Sequence, residues 1–99
     1  MTKTELIDAV AEETDLFKKD IKKVLDNAFD TIMEYLGEEA KKSEDNRDNV
    51  QFVGFGTFEA RDRAERKGRN PQTGEEITIP DRKVPFFKAG KTFKKQVDK

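Results

Sequence analysis

Apolar residues in the first third of the chain recur at helical spacing. Residues 2–14 place Leu6, Ile7 and Val10 on one face, and Thr2 and Glu5 stand at the separation of a capping box, so a short helix is predicted. From Lys18 to Leu36 the positions Ile21, Val24, Leu25, Ala28, Phe29, Ile32, Met33 and Leu36 keep the i, i+3, i+4, i+7 pattern, and Gly37 is expected to end this second helix. Eight apolar positions over about four and a half turns make a stripe wider than one short neighbouring helix covers. Part of that stripe therefore reads as core and part as interface.

Residues 37–49 contain a single Ala as their only apolar residue and read as a solvated loop or a frayed helical extension. The period then changes to two. Val50-Gln51-Phe52-Val53, a Gly54-Phe55-Gly56 turn and Thr57 to Arg63 predict an antiparallel hairpin. From Ala64 to Glu76 no large apolar residue occurs, yet Arg61, Arg63, Ile77 and Ile79 on either side keep strand alternation. The hairpin strands are therefore expected to continue outward as an exposed ribbon, about residues 61–81, with the turn residues Asn70 to Gly74 at its tip. The chain returns through Pro80 to a third strand at Val84-Pro85-Phe86-Phe87. A last helix, about Gly90 to Val97, carries Phe93 and Val97 on one side and Lys91, Lys94 and Lys95 on the other. The predicted class is α+β in one domain, 1–99: a two-helix N-terminal hairpin (1–36), an acidic connection (37–49), then a three-stranded antiparallel sheet with a long β-ribbon arm and a short C-terminal helix (50–99).

Composition narrows what such a domain can do. Of 99 residues, 33% are hydrophobic and 41% charged, so a single chain has little private core, and oligomerisation is the available route to a larger one. Cys and His are both absent, which removes disulfides, thiolate metal sites and the commonest general base. No metal, cofactor or small-molecule substrate is expected, and no membrane span or signal segment is visible, so a cytoplasmic protein is expected. Carboxylates are plentiful but lie on predicted helix surfaces and a loop rather than as a pair in a cleft, so catalysis is not expected. The net charge of −1 conceals a split: residues 1–60 carry 8 basic and 15 acidic side chains, residues 61–99 carry 12 and 6. A polyanion would bind the second part.

The informative stretch is Arg61 to Pro71, with five basic and two acidic residues on a segment that cannot be core. Guanidinium forks spaced along an extended ribbon match the phosphates of a nucleic-acid groove, although a charged run is also what an ordinary solvated loop looks like. Pro71 offers a rigid apolar ring at the ribbon end; Asn70-Pro71 is also simply a turn former. Phe52, Phe55, Phe58 and Phe87 read as core by their alternation rather than as a base-stacking platform.

Gly54-Phe55-Gly56-Thr57-Phe58-Glu59-Ala60-Arg61, then Arg66 to Ile77 and Ile79-Pro80, resemble the signature of the bacterial HU family of histone-like DNA-binding proteins. The likeness extends to Lys3 to Ile7, Lys18 to Asp20 and Lys83 to Lys91, covering nearly the whole chain apart from residues 37–49. It implies an intertwined homodimer whose two arms embrace double-stranded DNA in the minor groove, bending it with a proline wedge at each tip, as a nucleoid protein of little sequence specificity. It places arm contacts on Arg61, Arg63, Arg66, Lys67, Arg69, Asn70 and Pro71, with Gln72 and Thr73 beside the tip. Body contacts fall on Lys3, Lys83, Lys88, Lys91 and Lys94, and the core and dimer contacts on Phe29, Phe52, Phe55, Phe58 and Phe87.

The chain departs from the family pattern in four places. The connection 37–49 is longer and carries five acidic against three basic residues, expected to extend the second helix or form a flap; the pI of about 5.6 is acidic; Phe17 stands where a capping Ser is usual, and Ala89 where a Pro is. Two other functions fit the same residues: a sequence-specific DNA-bending protein like integration host factor, and a protein-interaction module whose acidic body has lost general DNA affinity.

Overall fold

The capping box at Thr2 forms as the sequence requires. The Thr2 hydroxyl accepts from the Glu5 amide at 3.2 Å, and the Glu5 carboxylate accepts from the Thr2 amide at 3.2 Å. They open helix α1, Lys3–Thr14, in this computed structural model, which describes residues 1–99. Asp15, at φ +59°, closes the helix by donating its amide to the Ala11 carbonyl. Helix α2 runs Lys18–Glu39. The chain forms two compact units, Met1–Glu34 and Tyr35–Lys99.

In the first unit Ile7 and Ile21 are buried, and the apolar stripe of α2 divides as its width implied. Leu25 and Ile32 are half-buried, whereas Val24, Phe29 and Met33 remain 69, 48 and 63% exposed. The Asp26 carboxylate accepts from the Lys22 and Lys3 ammonium groups, each at 2.8 Å, and these partners hold it below the usual carboxylate range.

Gly37 does not end α2. A Cβ at this position would meet nothing within 4 Å, and the helix continues to Glu39, where the Ala40, Lys41 and Lys42 amides donate to the Leu36, Glu38 and Glu39 carbonyls. Of the two expectations for 37–49, the helical extension holds for the first three residues, and most of the rest is exposed but ordered by hydrogen bonds rather than frayed. Residues 37–39 are helical, Glu44–Asn46 form a 3-10 turn, and Glu39 and the Arg47 side chain are buried. The Glu39 carboxylate accepts from Lys42 Nζ at 2.8 Å and the Asp48 amide at 2.7 Å, while the Tyr35 hydroxyl donates to Asp48 at 2.8 Å. The Lys42 and Asp48 contacts hold the Glu39 carboxyl low. The Tyr35 and Asn49 donors do the same for Asp48, and the Asp48 carboxylate in turn raises the Tyr35 hydroxyl.

Strands β1 (Val50–Phe52), β2 (Gly56–Arg63) and β5 (Arg82–Ala89) form an antiparallel sheet in the order β1-β2-β5, and β3 (Arg66–Arg69) pairs with β4 (Glu76–Ile79) as a two-stranded ribbon. Phe58 and Phe87 face each other across β2 and β5 with ring centroids 4.7 Å apart. Phe55 joins them, 5.4 Å from Phe87 and 5.1 Å from Phe93 of α3 (Lys91–Val97). Phe52 meets Phe55 and Phe58 edge-on; Phe58 and Phe87 are half-buried in this cluster, while Phe52 and Phe55 remain about half exposed. Gly56 is indispensable to this packing: a Cβ there would lie 2.5 Å from Phe87 Cζ and 2.6 Å from the Lys88 carbonyl oxygen.

Candidate nucleic-acid interface

The exposed ribbon is the outward continuation of β2 and β5, not of the β1–β2 hairpin as expected from the alternation pattern. Arg63 faces Arg82 at the end of the sheet, and Arg66 faces Ile79 at the start of the ribbon. Between them the ladder is interrupted where Pro80, which has no amide hydrogen to donate, stands across from Glu65. The register is the same on both sides of the break. At the far end the Asn70 amide donates to the Glu75 carbonyl and the Gly74 amide to the Asn70 carbonyl, at 2.9 and 2.8 Å. The Asn70 side chain accepts from the Gln72 amide at 2.9 Å, and Gly74 takes a φ of +74° that disfavours any side chain. Pro71, Gln72 and Thr73 are exposed at this tip. From Arg63 to Asn70 the arm reaches about 23 Å, at roughly 3.3 Å per residue.

Constant register sorts the charges, because side chains alternate faces and paired residues share one. Arg61, Arg63, Lys67, Arg69 and Arg82 fall on one face, with Glu65 and Glu76 as its acidic members. Arg66 and Lys83 fall on the other, with Asp62, Glu75 and Asp81, and there Ile77 and Ile79 lie over Gly68. Arg61 to Pro71, one basic run along the chain, is divided by strand pairing into one strongly basic face and one mixed face. Pairing also brings in Arg82, which lies outside the basic run along the chain but which counting back from the Asn70 turn places opposite Arg63.

Local partners tune these cations. The Arg61 guanidinium sits 3.6 Å above the Phe86 ring and 2.9 Å from the Glu59 carboxylate, so it is held against the sheet. Lys67 has a loose partner in Glu76 at 3.6 Å, and Arg69 donates to the Gly74 carbonyl at 3.3 Å. Arg63, Arg66 and Arg82 have no carboxylate within ion-pairing distance. Among the body positions, Lys88 lies across from Thr57 on the basic face, Lys91 and Lys94 are exposed on α3, and Lys3 is already paired with Asp26.

The chain matches, over residues 1–98, the family described as bacterial DNA-binding protein. It is 56% identical to DNA-binding protein HU 1 of Bacillus subtilis strain 168, over 98% of this chain and 97% of that one, and 57% identical to DNA-binding protein HU of Geobacillus stearothermophilus, over 98 and 99%. The chain belongs to the bacterial DNA-binding protein family. Its fold agrees with that membership: a cocrystal structure of Anabaena HU with DNA superposes with a TM-score of 0.86 at 45% identity, covering 98% of this chain and 97% of that one. A solution structure of a mutant of transcription factor 1 aligns with a TM-score of 0.61 at 34% identity, covering 99 and 91%. Family membership and the α+β architecture thus stand as the sequence resemblance implied.

Proposed function

We propose that this HU-family protein is an architectural, nucleoid-associated protein that binds double-stranded DNA with little sequence specificity and bends it. The observation that carries the reading is the ribbon itself: an arm paired only with itself, with most of its cations on one face and Pro71 exposed at its tip. Such an arm fits a minor groove, where Arg and Lys meet phosphates on both walls and an apolar ring wedges between base steps. Arg61, Arg63, Arg66, Lys67, Arg69 and Arg82 are the arm contacts in this reading, with Asn70, Gln72 and Thr73 beside the intercalating Pro71. Lys88, Lys91 and Lys94 extend the path along the body. Two copies supply two arms, and a second copy of this chain is the natural cover for Val24, Phe29 and Met33. The function needs no chemical step. Neither the sequence-specific reading nor the protein-interaction reading gains support, since the relatives described above are named HU and the basic face is complete.

The test is titration of a short random-sequence duplex at two salt concentrations, with a bending assay on wild type and Pro71→Ala. Salt-sensitive binding, with bending reduced more than affinity in the variant, is the expected result. Absence of binding at low salt would overturn the DNA reading, and equal bend angles would remove the wedge.

A further inference from the structure

Strand β1 covers only the first part of β2, pairing with Gly56 to Phe58, so the same edge of β2 is open from Ala60 to Asp62, at the root of the arm. Two side chains fill that edge where a strand would. The Arg47 guanidinium donates to the Ala60 carbonyl at 3.3 Å, and the Glu44 carboxylate accepts from the Asp62 amide at 2.9 Å. The same guanidinium donates to the Ala40 and Lys42 carbonyls, both at 3.0 Å, and to the Asp62 carboxylate at 2.8 Å. With its side chain only 4% exposed and four hydrogen bonds made, Arg47 ties the turn that follows α2 to the strand that becomes the arm. An unfilled edge here would leave a carbonyl and an amide free at the point where the ladder is about to be interrupted.

We propose that Glu44 and Arg47 are positioning residues for the DNA-binding arm: they fasten its first strand at the root and thereby set how stiffly the arm presents Pro71 to the duplex. This rests on the arm being the DNA ligand. Neither residue is expected to touch phosphate, so their loss should alter bending while leaving the salt dependence of binding unchanged.

The decisive variants are Glu44→Ala, which removes the acceptor, and Glu44→Gln, which removes the charge but keeps an amide oxygen for Asp62. Arg47→Lys shortens the buried fork and serves as a second, independent disruption. In the free protein, hydrogen exchange of the Asp62 amide should quicken by about tenfold in Glu44→Ala and stay near wild type in Glu44→Gln. On a short duplex, end-to-end energy transfer should show a broader, smaller bend for Glu44→Ala and Arg47→Lys, with Glu44→Gln restoring the wild-type bend. Unchanged amide exchange, or bending that follows the charge of residue 44 rather than its acceptor, would overturn the proposal. Wild-type protein that fails to bind the duplex would refute the DNA reading instead, and the exchange data on the free protein would still decide whether Glu44 caps the strand.

Discussion

Arg63 and Arg82 face each other directly across β2 and β5 with no carboxylate partner. Like charges opposite one another on a sheet cost about 0.2–1 kcal/mol in the free protein, a cost relieved when a phosphate lies between them. Replacing both by Gln removes four cations from a dimer. With a slope of about −0.9 in log affinity against log salt per neutralised phosphate, four lost contacts flatten the slope by about 3.6. Between 50 and 200 mM salt the wild type should therefore lose about 150-fold more affinity than the double variant, and each single variant should show about a 12-fold difference. Fluorescence anisotropy on a labelled random duplex across that salt range measures the slope directly. A denaturant melt of the unbound variant should show equal or slightly greater stability, separating lost contacts from lost fold. A slope unchanged by the double substitution, or a larger effect from Lys83→Gln than from Arg82→Gln, would refute the assignment of the basic face.

Gly56→Ala should destabilise the protein by about 1–3 kcal/mol or more, because Phe87 and the Lys88 carbonyl already occupy the space of the new methyl group; chemical denaturation checks this, and a neutral result would contradict the packing. Acidification should loosen the segment between α2 and β1. Glu39 and Asp48 have lowered pKa values in the folded chain, so their stabilisation is full above the ordinary carboxylate range and is lost as pH falls through the lower folded values. Tyr35 is raised, so its contribution is full below its ordinary value and is lost as pH rises through the higher folded value; Asp48→Asn should flatten the acid limb of a stability–pH profile, and an unaltered limb would exclude Asp48 from it. Met33→Glu should shift the protein toward monomer in sedimentation equilibrium, whereas an unperturbed dimer would place the interface elsewhere.

Local patterning made the arm legible. A stretch without large apolar residues, bounded by alternating positions and ending in Asn-Pro and Thr-Gly, pointed to an exposed ribbon although not to the strands that carry it, and Thr2 with Glu5 marked the start of α1 within one turn. The divided stripe of α2 was visible in its width. What escaped was set mostly by contacts distant in sequence. Gly37 looks like a helix stop because helices often end at glycine, yet helix termination depends on what satisfies the last carbonyls, and here the Ala40, Lys41 and Lys42 amides do so, with Arg47 holding the Ala40 carbonyl just beyond the helix. The order of residues 40–47 depends on Ala60 and Asp62, which composition cannot connect to them. Arg82 escaped because its place on the basic face is a matter of strand pairing, not of neighbouring charge.

The unbroken register through the Pro80 interruption limits how such an arm can change length. Adding or removing one residue from each strand preserves pairing but carries every side chain beyond the change to the reverse side, taking Lys67 and Arg69 away from Arg61 and Arg63. Two residues from each strand restore the arrangement, moving the tip by about 6.6 Å. Arms built on this plan therefore have a quantised reach, and intermediate lengths present a divided row of cations to the duplex.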